Sequence, residues 1–389
     1  MTLAVAIVWG CIVAGLLARA VIQYRHYELL RARGASELAR ENPDIVTVIV
    51  PARNEAKNIG KCARGLMAQD YPWLEVVVVN DNSSDHTGSI VKDLACFDHR
   101  LRLMECGALP DGWAGKPRAC WRGARDSSGE WLCFIDADTT AEPSLITTAV
   151  KTAQERGVDM LSLEPFQELG GFWERVIIPA GFLLLAFGQD LRRVNDPACP
   201  EAAANGQFIL IRRRVYEAVG GHAAVREEIC EDTALARRVK RAGFRLAILG
   251  ASDLVQTRMY RNLASLWEGL SKNVVEMMGG TRATLLASLA SFTLGWLTVL
   301  LPILLWRRGE VAAAIIATMG STALAATHMS AARYFRIPFF YGLFFPVGYT
   351  MGGLIALNSI RLRWSRRVAW KGRVYAPPGG MKSAPSTLS

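Results

Sequence analysis

Two aspartates at the end of an apolar run have the residue types and spacing of a cation site. Residues 131–135 are uncharged and are followed by Asp136 and Asp138, with one alanine between them. This pattern predicts a buried strand that places two carboxylates at its C-terminal edge, where ligands bind in open α/β sheets. Two hard oxygen donors suit a divalent cation such as Mg²⁺ that also contacts substrate phosphates. A strand that ends in a solvated acidic turn is the alternative, and these residues alone leave both open.

Two further segments carry charged side chains whose chemistry is open. The loop 112–117 is similar to a phosphate-binding loop, but its glycine spacing differs and Pro117 stands where a Ser or Thr would bind magnesium. Lys116 can still contact a phosphate as a point charge, or it can be solvated. Glu231 and Asp232 open a predicted helix, where acids either favour the helix dipole or take part in catalysis.

Strands must position these polar residues. The apolar, β-branched run 45–50 predicts a strand buried on both faces, as in a parallel sheet. A helix with three- and four-residue apolar spacing follows over 56–67, and then a second strand over 76–79. Each strand ends in a polar loop, and neither loop contains GxGxxG, so the dinucleotide fingerprint is absent. The order predicts an α/β fold with ligand-binding loops at the strand ends.

Long uncharged runs lie on both sides of this region. Each is long enough for a helix that crosses the roughly 30 Å hydrocarbon core of a bilayer. The first run has no convincing cleavage site after it, which predicts a retained anchor rather than a signal peptide. The runs cover residues 2–18, 285–305, 311–332 and 337–360.

The net charge of +10 reflects arginines that flank these runs. No recognition motif accompanies them, so nucleic acid is not an expected partner. The arginines after the first run, from Arg19 to Arg40, predict that the middle of the chain is cytoplasmic. Three full C-terminal crossings would then leave the C-terminus outside, whereas the basic residues after Ile360 favour the inside. A segment that is re-entrant or lies in the interface is the alternative.

The polar segments occur together in an order that resembles family 2 glycosyltransferases of the GT-A fold. The resemblance covers roughly residues 44–275 and is carried by VIVPARNE at 48–55, VVVNDNSSD at 77–85, FIDAD at 134–138 and the ED segment at 231–243. The chain is more closely similar to membrane-bound lipid glycosyltransferases, in particular the hopene-associated ones. That similarity is carried by residues 110–124, 206–222 and 258–273.

The resemblance implies a fold and a domain plan. The fold is α/β, a GT-A domain with a mixed, mostly parallel sheet and transmembrane helices at both ends. The expected segments are an anchor at 1–24, the GT-A domain at 44–275, a transmembrane region at 283–360 and a disordered tail at 375–389. The protein is expected in a bacterial inner membrane with its catalytic domain in the cytoplasm.

The resemblance also implies roles for particular residues. Asp232 is the candidate catalytic base, and Asp136 and Asp138 are expected to bind Mg²⁺ or Mn²⁺. The expected donor-binding residues are Pro51, Arg53, Glu55, Asp81, Lys116, Asp136 and Asp138. The expected acceptor-side residues are Glu231, Gly206 and Gln207.

The predicted reaction is an inverting transfer of one sugar from a nucleotide sugar to the hydroxyl of a membrane lipid, hopanoid or otherwise isoprenoid-like, at the cytoplasmic face of the bilayer. Two departures from the family pattern matter: Asn80 replaces the first acid of the usual pair before Asp81, and the QxxRW signature of polymer synthases is absent from 256–260. The second departure favours single-sugar transfer. The alternatives are a polyprenyl phosphate acceptor and a non-catalytic scaffold that binds nucleotide sugars.

Overall fold

The structure is a computed structural model that describes residues 2–33, 44–188, 190–365, 368–370 and 373–375, the last six by backbone alone. The helices are α1 Thr2–His26, α2 Ile59–Met67, α3 Thr87–Ala95, α4 Gly115–Arg125, α5 Leu145–Glu155, α6 Phe172–Gly188, α7 Leu191–Asn195, α8 Arg213–Ala218, α9 Glu231–Arg241, α10 Leu263–Met277, α11 Thr281–Arg307, α12 Val311–Tyr334 and α13 Phe345–Trp364. Short 3₁₀ helices cover Gly221–Val225 and Phe339–Phe344.

Twelve strands lie within the described residues. They are β1 Val46–Ala52, β2 Leu74–Asn80, β3 Leu101–Glu105, β4 Trp131–Ile135, β5 Thr139–Ala141, β6 Met160–Glu164, β7 Phe166–Gln167, β8 Phe208–Arg212, β9 Leu246–Gly250, β10 Val255–Thr257, β11 Val368–Trp370 and β12 Arg373–Tyr375. The chain divides into two compact units. The first unit consists of residues 1–28, 166–193 and 258–361, and the second of residues 29–165, 194–257 and 362–389.

The second unit is built on a seven-stranded sheet in the order β3-β2-β1-β4-β8-β6-β9. Neighbouring strands are parallel except on both sides of β8, which runs antiparallel to β4 and β6. The side chains of β1 and β4 are almost wholly buried, as expected for central strands covered on both faces. The predicted α/β fold with a mixed, mostly parallel sheet is confirmed.

Helix α4 packs unusually closely on this sheet. A Cβ atom added at Gly123 would lie 2.5 Å from Cγ2 of Ile49 on β1 and 3.1 Å from Cγ2 of Val79 on β2. Only glycine therefore allows this helix to approach the sheet, and the approach determines where the first turn of α4 lies. Lys116 is in that turn.

Most predicted elements are found, with small differences at their ends. The run 45–50 is β1, the predicted helix over 56–67 begins at Ile59, and the predicted strand over 76–79 is extended at both ends in β2. Helix α3 and strand β3 had no predicted counterpart. Helix α3 is short, and the burial of β3 is mostly intermediate, so neither segment has a strong apolar periodicity in the sequence. The predicted disordered tail begins at Tyr375, which is the last residue of β12, and the rest of it, 376–389, lies outside the described residues.

Among the described residues of the first unit, four helices are long and apolar enough to cross a membrane. They span Thr2–His26, Thr281–Arg307, Val311–Tyr334 and, with the preceding 3₁₀ turn, Phe339–Trp364. Within this unit α12 packs against α1 and α11. His328 of α12 is buried, and its two ring nitrogens lie 2.9 Å from the Leu324 carbonyl oxygen and 3.0 Å from Tyr349 Oη. Its polar atoms are therefore satisfied within the helix packing.

Candidate active site

Lys116 lies at the centre of an ion cluster in the second unit. Its Nζ is 2.8 Å from Asp136 Oδ1 and 2.9 Å from Glu231 Oε1. It also donates a 3.4 Å hydrogen bond to the carbonyl oxygen of Gly206. These groups come from the first turn of α4, the end of β4, the start of α9 and the segment before β8. The fold thus brings together four predicted site residues that are far apart in the chain.

The antiparallel direction of β8 explains why Gly206 and Gln207 reach this cluster. In the register of β4 and β8, Ile135 is opposite Phe208, so the end of one strand meets the beginning of the other. The Asp136 amide consequently donates a 3.4 Å hydrogen bond to the carbonyl oxygen of Gln207. If β8 were parallel to β4, its preceding residues would lie at the opposite edge of the sheet.

Asp232 is held beside the cluster by backbone donors. Its Oδ2 accepts a 2.8 Å hydrogen bond from the Gly206 amide, and its Oδ1 accepts a 2.6 Å hydrogen bond from the Thr233 amide. Burial and the neighbouring Glu231 carboxylate raise the pKa of Asp232 to about 6, although Lys116 acts in the opposite direction. A carboxylate with this pKa is ionised at neutral pH and is still a useful proton acceptor.

The same carboxylates act on Lys116. Burial lowers the pKa of the Lys116 ammonium, but Asp136 and Glu231 more than compensate and hold it well above its ordinary value. The ammonium therefore stays charged throughout the physiological pH range. It is a fixed positive charge among three acids, and its side chain remains 35 % exposed and so accessible to a ligand.

Gly206→Ala is expected to impair this cluster without unfolding the domain. A Cβ atom at residue 206 would lie 2.9 Å from both Asp232 Oδ2 and Lys116 Nζ, so both groups must shift. A displacement of this size at reacting groups is expected to lower kcat/KM for sugar transfer by about 10²-fold. Gly60→Ala is the matched control, because its Cβ would meet only ordinary contacts at 3.5 Å. If Gly206→Ala and Gly60→Ala had the same melting temperature and the same activity, the close contact of Gly206 with Asp232 and Lys116 would not matter for catalysis.

The loops after β1 and β2 form a second group of predicted donor-binding residues. Arg53 Nη1 donates to the carbonyl oxygens of Asp81 and Asn82 at 2.8 and 3.1 Å. Asn54 links the loops as well, because its amide donates to Ser83 Oγ at 3.0 Å. Asn54 and Asn82 both have a φ of 53°, a left-handed conformation that asparagine tolerates better than most residues. Each loop therefore holds the other in place.

The remaining predicted donor-binding residues are Pro51, Glu55 and Asp138. Pro51 is in β1, opposite Val79 of β2 in the parallel register. The Glu55 amide donates a 2.8 Å hydrogen bond to Thr87 Oγ1, and its carboxylate accepts one of 2.8 Å from Asn58 Nδ2. Asp138 accepts a 3.3 Å hydrogen bond from Thr257 Oγ1 at its backbone carbonyl.

Asn80, where the family pattern has an acid, uses both ends of its amide. Its Nδ2 donates a 2.8 Å hydrogen bond to Glu105 Oε2, and its Oδ1 accepts a 3.2 Å hydrogen bond from the Ser83 amide. A carboxylate could not donate the first of these bonds and would lie against the Glu105 charge. The departure from the pattern therefore supports the loop after β2.

Comparison with known proteins agrees with this arrangement. The model of the family described as "Glycosyl transferase family 2" matches residues 47–220. These residues include β1 from its second residue through β8, and they contain Lys116, Asp136 and Gly206 but not Glu231 or Asp232. The predicted resemblance to family 2 glycosyltransferases is confirmed over these residues.

Two similar proteins extend the comparison. The glycosyltransferase is 27 % identical over 263 residues to 4,4'-diaponeurosporenoate glycosyltransferase of Staphylococcus aureus (strain USA300), a match covering 65 % of this chain and 67 % of the relative. A mannosyltransferase from Pyrobaculum calidifontis, solved in complex with GDP-Man and Mn²⁺, is similar in structure. The match has a TM-score of 0.54 and 19 % identity, and it covers 93 % of this chain and 98 % of that one. The predicted GT-A fold is confirmed.

Two buried residues of the second unit, Tyr216 and His222, are not among the residues predicted to do chemistry. His222 Nδ1 lies 3.0 Å from Tyr216 Oη, and the His222 ring packs edge-on against Phe134 with ring centroids 4.6 Å apart. Burial, with a smaller effect of Lys116, lowers the pKa of His222 to about 3, so its ring is neutral. A Cβ at Gly221 would lie 2.4 Å from Tyr216 Cζ, and the Gly220-Gly221 pair is the sequence signal for this close packing.

The carboxylates of the glycosyltransferase fit a divalent cation that takes most of its ligands from a substrate. Among the described residues no group of three or more His, Cys, Asp and Glu side chains is arranged to hold a metal by itself. Asp136 and Asp138 supply at most two carboxylates, which is the usual protein share for Mg²⁺ beside a diphosphate. These two residues would hold the cation. The ammonium of Lys116 already lies beside the Asp136 carboxylate.

Proposed function

We propose that this glycosyltransferase moves one sugar from a nucleotide sugar to an oxygen of a membrane lipid, with inversion at the anomeric carbon. The observation that carries the proposal is the ion cluster. It combines a permanently charged lysine, an accessible carboxylate next to it and a separate carboxylate, Asp232, whose pKa of about 6 suits a base. A scaffold that only binds nucleotide sugars would not need Asp232 in this state.

The donor would lie across the C-terminal ends of β1, β2 and β4. The paired loops that contain Arg53 and Asp81 would hold the nucleotide base, and Lys116 would face the diphosphate. A divalent cation on Asp136 and Asp138 would neutralise charge that develops on the leaving diphosphate. The Pyrobaculum enzyme, which has the same fold, was solved in complex with GDP-Man and Mn²⁺. That complex supports the assignment of donor and metal.

In the transfer step the acceptor hydroxyl gives its proton to Asp232 as its oxygen forms a bond to the anomeric carbon. The bond from that carbon to the diphosphate oxygen breaks, and the nucleoside diphosphate leaves with both electrons of that bond. Attack from the side opposite the leaving group inverts the anomeric centre. The Gly206 and Thr233 amides keep the Asp232 carboxylate in place during this step.

A membrane lipid is the acceptor class that the chain favours. Four helices of the first unit have the length and composition of membrane spans. The Staphylococcus relative is named for transfer to diaponeurosporenoate. We propose an isoprenoid-like lipid acceptor, hopanoids included, used by an enzyme of a bacterial inner membrane whose catalytic domain faces the cytoplasm. The absence of QxxRW supports addition of a single sugar.

Removal of divalent metal is expected to abolish transfer reversibly. Excess chelator should reduce turnover to background, and Mn²⁺ or Mg²⁺ should restore it. Asp138→Ala should weaken metal-dependent donor binding by about 10- to 100-fold, because one of two protein carboxylates on the cation is lost. Donor binding is measured by calorimetry with and without metal, and Asp93→Asn, an exposed position on α3, is the control. Wild-type turnover in excess chelator would exclude the metal role.

The proposed reaction is tested with the purified full-length chain in detergent. It is incubated with a panel of labelled nucleotide sugars and a total bacterial lipid extract, and lipid products are separated and identified by mass spectrometry. One labelled neutral isoprenoid lipid carrying a single sugar is the expected product. A labelled polyprenyl phosphate as the product would mean that the acceptor is a phosphate rather than a hydroxyl. If no donor gave a labelled lipid, a binding scaffold would be favoured.

A further inference from the structure

The first unit contains a small cavity that the proposed reaction does not use. It lies between α6, α12 and the segment 337–345, and its volume of about 10 Å³ holds roughly one water molecule or one oxygen of a headgroup. Its wall is mostly apolar, with three polar side chains, those of Arg175, His328 and Tyr341. No acidic residue and none of the predicted active-site residues are among those that line it.

Arg175 places its positive charge at this cavity. Its guanidinium carbon lies 5.3 Å from the centre of the Tyr341 ring, its Nη1 donates a 3.3 Å hydrogen bond to Tyr341 Oη, and its Nε donates one of 3.1 Å to the Leu169 carbonyl oxygen. Within the part of the chain that the structure describes, Nη2 of Arg175 has no acceptor. Because Tyr341 Oη accepts from Arg175, its own hydrogen is also available. Two donor groups, Nη2 of Arg175 and the Tyr341 hydroxyl, thus remain for a ligand.

The adjacent acid does not balance the Arg175 charge. Glu174 is almost completely buried and forms a two-point ion pair with Arg258, with both nitrogen-to-oxygen distances 3.1 Å. The same carboxylate accepts hydrogen bonds of 2.9 Å from the amides of Gly170 and Gly171. Across the described residues no carboxylate lies within ion-pair distance of Arg175. A partly buried guanidinium in this position favours an external anion.

The walls of the cavity are held in place by close backbone packing. A Cβ at Gly342 would lie 2.5 Å from the Met329 amide nitrogen, and one at Gly348 would lie 2.4 Å from the Val176 carbonyl oxygen. The His328 ring is engaged at both nitrogens and stacks on Phe345, with ring centroids 4.4 Å apart. The site is therefore preorganised, and neither ring nitrogen of His328 is free to act as an acid or base.

Exposed aromatic rings adjoin Arg175 and Tyr341. Phe172 is 44 % exposed and packs against Tyr341 and Phe344, with ring centroids 6.1 and 5.6 Å apart. Trp173 packs edge-on against Phe172 at 5.2 Å. Trp and Tyr together with Arg are characteristic of the interface between membrane and water, where headgroups and the first methylenes of the acyl chains lie. An anion at Arg175 would thus have an apolar surface beside it.

We propose that Arg175 and Tyr341 bind the phosphate of an anionic phospholipid, whose acyl chains lie on the aromatic residues Phe172, Trp173 and Phe344. The cavity admits one phosphate oxygen, and the two free donors provide a charged and a neutral hydrogen bond to it. A resident bilayer lipid fits better than a reacting acceptor, because the cavity has no room for a sugar and no available base. This site is independent of the donor and of sugar transfer.

The proposal is tested by lipid binding to the purified full-length chain in an uncharged detergent. Phosphatidylglycerol should raise the melting temperature and should be retained in native mass spectra, whereas phosphatidylcholine should do neither. Arg175→Gln should weaken phosphatidylglycerol retention by about 10- to 100-fold, the effect of losing a hydrogen-bonded charge. Arg282→Gln, the same change at an exposed arginine that opens α11, is the matched control and should bind as the wild type does.

Further variants and probes make the outcome decisive. Arg175→Lys should keep part of the affinity, and Tyr341→Phe, which removes only a hydroxyl, should reduce it by a smaller factor even if Arg175→Gln does not fold. Equal retention of phosphatidylglycerol by Tyr341→Phe, Arg175→Gln and the wild type would overturn the proposal. Preferential displacement by farnesyl phosphate would assign the site to an isoprenoid phosphate instead, and competition by inorganic phosphate alone would leave no role for the acyl chains.

Discussion

Asp232→Asn is expected to lower kcat for sugar transfer by about 10²- to 10⁴-fold, the range associated with loss of a general base. Asparagine keeps the shape of the side chain but cannot take the acceptor proton. Donor binding should change little, because Asp232 forms its hydrogen bonds to the Gly206 and Thr233 amides rather than to the residues predicted to bind the nucleotide. Single-turnover kinetics and calorimetry with the nucleotide sugar measure the two effects separately.

The pH profile gives a second readout for the same residue. The base must be ionised, so kcat/KM of the wild type should fall as the pH drops through about 6, the pKa to which burial and Glu231 raise the Asp232 carboxyl. Asp93→Asn should retain both the rate and this profile. Full turnover by Asp232→Asn would remove Asp232 from the mechanism, and it would point to an acceptor oxygen that is already ionised.

Lys116→Met is expected to lower kcat/KM by about 10²- to 10³-fold, as is typical when a charged group that stabilises a developing negative charge is lost. The change also leaves Asp136 and Glu231 without the ammonium that lies 2.8 and 2.9 Å from them. Because Lys116 lowers the pKa of Asp232, its loss should move the acid limb of the pH profile above pH 6. Steady-state kinetics between pH 5 and 8 measure both changes.

Two other lysine variants define the specificity of that effect. Lys116→Arg retains the charge and should recover part of the activity, with the acid limb near its original position. Lys92→Met makes the same chemical change at an exposed residue of α3 and should behave as the wild type does. If Lys116→Met kept its acid limb at about pH 6, the electrostatic coupling between Lys116 and Asp232 would be disproved.

The confirmed predictions of the fold depend on local patterns. β1 and β4 are central strands of the sheet, and both are continuous apolar runs in the sequence because each is covered on two faces. The helices that are long enough for a membrane were equally evident, because uncharged apolar runs of about 20 residues are typical of transmembrane helices. Strand β3 was missed because it lies at the edge of the sheet, where partial burial leaves no regular alternation.

The composition of the ion cluster was only partly predictable. The sequence provided Asp136, Glu231 and Asp232 as candidates and left Lys116 open between a phosphate contact and a solvated side chain. In the structure Asp136 and Lys116 form an ion pair. They meet because Gly123 lets α4 approach β1 and β2 closely enough to place its first turn beside Asp136. That proximity depends on van der Waals contacts between distant segments, which no local pattern encodes.

The sequence by itself determined most of the element types, the resemblance to family 2 glycosyltransferases and the candidate residues for the chemistry, because these follow from residue type and local spacing. The tertiary structure alone decided which of those residues meet. The antiparallel insertion of β8 beside β4 brings Gly206 to Asp136 and Asp232, and the resulting burial raises the pKa of Asp232 to about 6. Strand order and burial are properties of the whole packed sheet, so the raised pKa of Asp232 could not be predicted from its position at the start of a helix.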